Sequence, residues 1–308
     1  MDDYVEFIDN ITLYAQGLPI ALEVLGSFLP GRNVDQWKVA LDGYGREPKK
    51  KIQEILRRSY DALDDLTKEI FLHIACFFKG KAKNYVIDIL RGCDLNPEYG
   101  IEVLTEKALI SINEKKEILM HDLLEEMGKE IIRQESPTEP GERSRLWRHE
   151  DVHRVFMENT GSDKVRGIIV SRMNGRGEKI HLNSESFSKM KNLQIFVTPR
   201  DIFTGDHVNY LSNELRLIDW ECCPLSAFPP SFYPKKLVVL RMHKSRWDVI
   251  NPERWCQTIN RMHGSQTSPL GEVQKTMQNL KSIDMSNCRG ARKISGLSVF
   301  PNLVIAQI

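Results

Sequence analysis

Asn96-Pro-Glu-Tyr-Gly-Ile-Glu-Val-Leu-Thr-Glu-Lys-Ala108, followed by Leu109-Ile-Ser-Ile-Asn113, Glu114-Lys-Lys116 and Glu117-Ile-Leu-Met120, is the stretch on which the fold turns. Its first part reads as a helix over Pro97–Ala108. Asn96 is its N-cap, and proline at the first turn sacrifices no hydrogen bond. Leu109–Asn113 then alternates apolar and polar residues, Glu114-Lys-Lys is a polar turn, and Glu117–Met120 resumes as a partner strand. Helical patterns near Ile52–Ser59, Thr67–Phe77 and Tyr85–Leu90 precede it. Helices followed by a β-hairpin are the signature of a winged helix. A closing helix from about Asp122 to Gln134 is stopped by Ser136-Pro137-Thr-Glu-Pro140-Gly141, read as a linker.

Working outward toward the N-terminus, Tyr4, Ile8, Ile11 and Ala15 recur at helical spacing, as do Leu18, Leu22, Leu25 and Leu29. Gly17 ends the first of these helices and Pro19 opens the second. Another helical pattern covers Val34–Leu41. Gly26-Ser-Phe-Leu-Pro-Gly31-Arg32-Asn33 has glycines at phosphate-loop spacing, but it lacks the Lys-Ser/Thr pair and follows a helix instead of a strand, so it is read as a helix C-terminus.

Toward the C-terminus the period changes. Asn192-Leu193, Glu214-Leu215, Lys236-Leu237, Asn279-Leu280 and Asn302-Leu303 each open a short stretch with apolar residues three and five places on, as in Leu215-x-x-Ile218-x-Trp220. The interval is about 22 residues with one doubled gap, inside the 20–29 range of leucine-rich repeats. Residues at such spacing share one face of a strand, and only stacked neighbours can close a core over them. The doubled gap, Lys244 to Gln278, reads either as a degenerate repeat or as an insertion. Strand positions between the buried leucines, namely Arg216, Asp219, Val239, Arg241, Lys281 and Asp284, are expected on an open concave face that binds a protein partner.

Composition limits the function. Charged residues at 28% and hydrophobic ones at 41% fit a globular chain, and no apolar run reaches the roughly 20 residues of a membrane helix. The acidic start, Met-Asp-Asp-Tyr, is unlike a secretory signal, so a cytoplasmic or nuclear location without membrane attachment is expected. The six cysteines form no C-x-x-C pair and are read as reduced thiols; no metal motif and no catalytic constellation stands out. Net charge is +1, yet residues 1–160 hold 22 Lys+Arg against 30 Asp+Glu, and residues 161–308 hold 21 against 12. Halves of −8 and +9 predict docking of basic repeats, through Lys235, Lys236, Arg241, Lys244 and Arg246, on the acidic helical half. The part of the helix before the hairpin from Tyr99 to Ala108 offers two glutamates against one lysine, which would repel a phosphate backbone, so nucleic acid is not the expected partner. His121, where the second strand enters a helix, can cap that helix or face an anion near its N-terminus.

Gly17-Leu-Pro-Ile-Ala-Leu22 resembles the GLPLAL motif of plant nucleotide-binding leucine-rich-repeat disease-resistance proteins. The resemblance strengthens at Ser59-Tyr-Asp-Ala-Leu-Asp64 and at Ile70–Phe78. It is close at Met120-His-Asp-Leu-Leu-Glu-Glu-Met-Gly-Lys-Glu-Ile-Ile-Arg-Gln-Glu-Ser-Pro137, Arg143-Ser-Arg-Leu-Trp147 and Glu158-Asn-Thr-Gly161, which are similar to the TIR-type branch. It implies an α+β multidomain chain carrying the C-terminal half of the NB-ARC switch. A small helical subdomain would cover residues 1–52 and a winged-helix subdomain 53–136, with a linker at 137–160 and a short leucine-rich-repeat α/β solenoid at 161–308. It further implies an ADP/ATP-dependent switch in innate immunity, with Gly17, Leu18 and Pro19 at the adenine. His121 would be at the β-phosphate, in a regulatory Met120-His121-Asp122 triplet. A pathogen effector, a host guard target or receptor subunits would be the protein partners.

In that family the TIR domain with its NADase chemistry, the phosphate loop, the magnesium-binding aspartate and the arginine sensor precede this region. The chain is therefore expected to be a non-enzymatic, N-terminally truncated fragment that binds ADP or ATP weakly or not at all. The other readings are a stand-alone repeat adaptor, a winged-helix DNA-binding regulator and an ATPase.

Overall fold

A computed structural model describes residue 36 and residues 56–170, 178–199, 202–226, 228–245, 278–288 and 301–307. The expected helices before Ile52 lie outside these residues, except that Gln36 is helical. The chain divides into two compact units. The first comprises residues 1–83 and 96–130, and the second residues 84–95 and 131–308.

In the first unit, residues 56–61 are helical and α1 spans Asp65–His73. Asp64 caps α1: the Thr67 hydroxyl and the Thr67 N–H both donate to its carboxyl and hold it below its usual range. The helix widens into a π-turn over Ile74–Phe78, all five residues buried. It ends when the Lys79 N–H donates to the Ile74 carbonyl five residues back. α2 follows at Lys83–Gly92 and belongs to the second unit from Asn84 on. α3, Pro97–Glu106, returns to the first unit and packs on α1, where Gly100 gives room to Ile70. Asn96 sits at the N-cap position but makes no side-chain capping bond; Pro97 and the first-turn Glu98 favour the start instead.

The hairpin pairs β1, Ser111–Ile112, with β2, Ile118–Leu119, in the register Ser111↔Leu119 and Ile112↔Ile118. Asn113 closes the turn by accepting from the Glu117 N–H. Ala82 bridges Glu117 on the other side of β2, and the Gly80 N–H donates to the Ile118 carbonyl, so the wing has a third rail. α4, Asp122–Glu135, leaves this wing.

The second unit is built on parallel strands. β3, Arg145–Leu146, and α5, His149–Met157, lie inside the stretch expected to be a linker. The reason is visible in the chemistry. Val152, Val155 and Phe156 are buried at helical spacing, and the Arg143 guanidinium donates to the carbonyls of Ser136 and Pro137 while pairing with Asp151 at 3.0 Å. Gly141 is confined by close approach: a Cβ there would lie 2.0 Å from the Thr160 carbonyl oxygen.

Then come β4 (Gly167–Ile169), β5 (Ile180–His181), β6 (Ile195–Thr198), β7 (Phe203–Thr204), β8 (Leu217–Trp220), β9 (Val239–Arg241), β10 (Ser282–Asp284) and β11 (Ile305–Gln307). β5 pairs with β7; the others join β3 in one sheet of order β11-β10-β9-β8-β6-β4-β3, every pairing parallel. β6, β8, β9, β10 and β11 each begin two residues after the expected leucine. β9 pairs directly with β10, Val239↔Ser282, so no strand stands between them in the sheet across the doubled gap. Ile168, Phe196, Ile218, Leu240 and Ile283 stand in one register column and all enter the core with Leu193, Leu215, Leu237 and Leu280. Beneath them Phe156, Phe187, Phe196, Phe203 and Trp220 meet edge to face, Phe196 and Trp220 at 4.8 Å. The side-chain amides of Asn192, Asn279 and Asn302 each donate to a carbonyl of an earlier turn, those of Asp163, Lys235 and Gln278.

Leu237 and Leu280 are fully buried. Truncating either to alanine is expected to cost roughly 2–5 kcal/mol by opening a cavity. The exposed Lys191→Ala should stay within about 0.5 kcal/mol. Urea denaturation of the three variants checks this, and equal losses would contradict the register.

Candidate functional site

Of the residues expected at a nucleotide, Gly17, Leu18 and Pro19 lie outside the described residues; Met120, His121 and Asp122 sit at the turn from β2 into α4. Met120 is buried and His121 half-buried, while Asp122 is exposed. The Leu123 N–H donates to His121 Nδ1 at 3.1 Å, so the imidazole caps α4, and the tautomer compatible with that bond carries its proton on Nε2. The capping role weighed from the sequence is thus present.

Sequence reasoning missed Lys79. Lys79 Nζ, carried out of the π-turn, pairs with Asp122 and, at 2.6 Å, with Glu125, which also pairs with Lys129. Burial opposes the Lys79 charge, but the bonds to Asp122 and Glu125 outweigh it and raise its pKa. Burial likewise works against the Glu125 carboxylate, and Lys129 and Lys79 overcome it and lower its pKa. Both acids lie in the first turn of α4, where the helix dipole also favours them. No motif linked positions 79 and 125; only the fold brings them together.

The six residues expected on an open concave face are not open. Arg216, Val239 and Asp284 are buried, and Asp219, Arg241 and Lys281 are half-buried. The cause is α2. Its Tyr85, Asp88 and Gly92, at i, i+3 and i+7, share the helix face that meets the strands. Arg241 lies 4.9 Å over the Tyr85 ring, Lys281 pairs with Asp88 at 2.6 Å, and the fully buried Arg216 donates to the Gly92 carbonyl and pairs with Asp94 at 3.4 Å. A Cβ on Gly92 would lie 2.9 Å from a Val238 methyl, so this approach needs glycine. Burial pushes the Tyr85 phenol up to about 12, with Arg241 opposing and Asp219 adding to it. Burial also pushes the Cys93 thiol up to about 12 against the pull of Arg216 and Arg145.

Basic residues after residue 160 therefore do meet residues from the acidic half, but mostly not those expected. Of the described members of the anticipated cluster, Arg241 is the one stacked on α2. Lys236 pairs with Glu214 and Lys244 with Glu221, both at 2.9 Å, and Lys235 stands 5.0 Å over the Tyr233 ring; Arg246 lies outside the described residues. Among the described residues no group of three or more His, Cys, Asp or Glu is arranged to hold a metal ion, and Cys76, Cys93, Cys222, Cys223 and Cys288 are free of disulfides. No described helix is long and apolar enough to cross a membrane.

Two outcomes follow from this geometry. The lowered Glu125 pKa contributes stability above its ordinary value of 4.5 that is lost as pH falls through the folded value, and the raised Lys79 pKa contributes below 10.5 and is lost as pH rises through its folded value. Lys79→Met should therefore destabilise by about 1 kcal/mol across the intervening range, with the difference from wild type shrinking under acid. Denaturation midpoints over a pH series test it; a pH-independent difference would count against the ion pairs. Separately, Arg216→Ala should cost about 3 kcal/mol by stranding the Gly92 carbonyl, whereas Lys281→Ala, at a half-exposed pair, should cost less than about 1 kcal/mol.

Residues 64–136 match the family described as Disease resistance protein Roq1-like, winged-helix domain. Disease resistance protein RPV1 of Vitis rotundifolia is 33% identical over 98% of this chain, which covers 22% of that relative. TMV resistance protein N of Nicotiana glutinosa is 33% identical over 92% of the chain and 25% of its own length. Disease resistance protein RPP2B of Arabidopsis thaliana is 33% identical over 98% of the chain and 24% of its own length. The chain thus spans about a quarter of the length of the curated relatives it matches. Along nearly its whole length the chain is a homologue of plant disease-resistance proteins, and it carries their Roq1-like winged-helix domain.

Proposed function

We propose that this chain is the switch and recognition portion of a plant innate immune receptor. The observation that carries the reading is the homology itself, which runs through both units and is not confined to the winged helix. In this reading residues 1–52 form a small helical subdomain, 53–136 the winged-helix subdomain, 137–160 the segment joining them to the repeats, and 161–308 the leucine-rich repeats. Parallel strands that each follow a leucine at about 22-residue intervals, with an asparagine amide bonding back to an earlier turn, support the repeat assignment.

ADP or ATP would set the state of the winged-helix unit. Gly17, Leu18 and Pro19 would lie at the adenine and His121 at the phosphates, with Asp122 holding the turn. The half-buried ring at the start of α4 supports this, since a helix N-terminus favours an anion. The portion performs no chemistry of its own and works in the cytoplasm or nucleus. Its partners are proteins: a pathogen effector, a guarded host protein, or other receptor subunits.

The nucleotide residues just named include no lysine and no cradle of glycine N–H groups, so the chain alone should retain ADP weakly or not at all by calorimetry. Completed with the nucleotide-binding portion of a relative, it should retain ADP, and Asp122→Val should lower that retention and start leaf cell death without pathogen. Unchanged retention and no cell death in that completed protein would defeat the reading.

A further inference from the structure

Lys79 stands where three pieces of backbone geometry meet. Its N–H donates to the Ile74 carbonyl and closes the π-turn. Its φ of −54° and ψ of 130°, followed by a φ of +76° at Gly80, make Phe78–Lys81 a type II turn, closed by the Lys81 N–H on the Phe78 carbonyl at 3.1 Å. The Gly80 N–H then donates to the Ile118 carbonyl at 2.7 Å, and the Ile118 N–H donates to the Lys81 carbonyl at 2.9 Å. Gly80 and Lys81 thus oppose a single residue of β2, a bulge whose first position needs the left-handed conformation glycine supplies. The Lys83 N–H continues this rail to the Lys116 carbonyl at 2.8 Å. The Lys79 backbone is therefore fixed on both sides before its side chain makes any contact. That side chain reaches across to α4, where its ammonium binds Asp122 and Glu125, three residues apart in the first turn. Lys79 is 31% exposed and Glu125 24%, so this bridge is screened less than a surface pair.

We propose that Lys79 is the positioning residue of the Met120-His121-Asp122 turn: it anchors the start of α4 to the type II turn and so keeps the triplet in its resting arrangement. The proposal rests on the reading of that triplet as regulatory, and it names what holds it. Met120 is kept in place by burial, and His121 accepts from the Leu123 N–H two residues on. Asp122 is the exposed member, and Lys79 ties it to a segment 43 positions away. Lys129 reaches Glu125 from within α4 and gives no such tie. Without the Lys79 ammonium, Asp122 and Glu125 face each other one turn apart as like charges, and the link between rail and helix start is lost. A Cβ on Gly80 would meet nothing within 4 Å, so a substitution there tests the backbone conformation alone. Asparagine tolerates that conformation; valine does not.

The test has two arms. On the full chain, hydrogen exchange at the amides of Leu123, Leu124 and Glu125, which bond to His121, should speed up at least about tenfold in Lys79→Met and in Gly80→Val. It should change less than about twofold in Lys79→Arg, Gly80→Asn and the exposed neighbour Lys81→Met, with circular dichroism verifying the fold of each variant. In the completed receptor, Lys79→Met should lower ADP retention and start leaf cell death as Asp122→Val does, while Lys79→Arg keeps the wild-type behaviour. Adding Lys79→Met to Asp122→Val should change nothing further, since both act through one contact. Unchanged exchange in Lys79→Met, equal acceleration in Lys81→Met, or unchanged retention in Lys79→Met where Asp122→Val lowers it would each overturn this proposal alone. Unchanged retention in Asp122→Val would instead defeat the immune reading, while the exchange arm still reports whether Lys79 holds the turn.

Discussion

A strand of three or four residues cannot close a core by itself, and the second unit is organised around that constraint. Each of β6, β8, β9 and β10 buries its central residue only because the neighbouring strand places an equivalent one beside it: Phe196, Ile218, Leu240 and Ile283 in one column. The register fixed by this stacking also fixes what the other face presents. Arg216, Val238 and Lys281 fall at equivalent positions just before their strands, and Asp219, Arg241 and Asp284 share a column within them. The surface that α2 covers is thus set by how leucines and isoleucines pack underneath.

That surface shows why charge totals predict attraction better than they predict contacts. The surplus of +9 after residue 160 and −8 before it is a property of sums, whereas contact depends on which side chains share a face. Lys235, Lys236 and Lys244 are dense in sequence but find local partners, Tyr233, Glu214 and Glu221, on the same or a neighbouring turn. Arg216, Arg241 and Lys281 are far apart in sequence and adjacent in the sheet, so it is they that meet Tyr85, Asp88, Gly92 and Asp94. A buried arginine there is tolerable because its nitrogens are engaged by a carbonyl and by carboxylates.

Much of the architecture was legible before any coordinates. The hairpin, the helices on either side of it and the strands that start two residues after Leu193, Leu215, Leu237 and Leu280 follow from short-range periodicity, which a sequence displays directly. α5 was legible too, since Val152, Val155 and Phe156 have helical spacing, but the prolines and glycine at 137–141 drew the whole stretch toward a linker reading. In fact Arg143 and Arg154 hold the carbonyls of Ser136, Pro137 and Thr138, so residues typical of loops form a fixed turn. The π-turn before Lys79 and the closure of the concave face by α2 were not legible, because both depend on contacts between residues 40 to almost 200 positions apart.

The turn at His121 shows how one residue satisfies two demands. A helix start leaves N–H groups without partners, and a histidine ring placed there can accept from one of them only while Nδ1 is unprotonated. The observed bond from Leu123 ties the start of α4 to Nδ1 of the ring, and the carboxylates nearby are those of Asp122 and Glu125. Lys79 and Lys129 together balance those carboxylates. Any phosphate brought to this helix start must compete with two carboxylates for the same dipole and the same lysine.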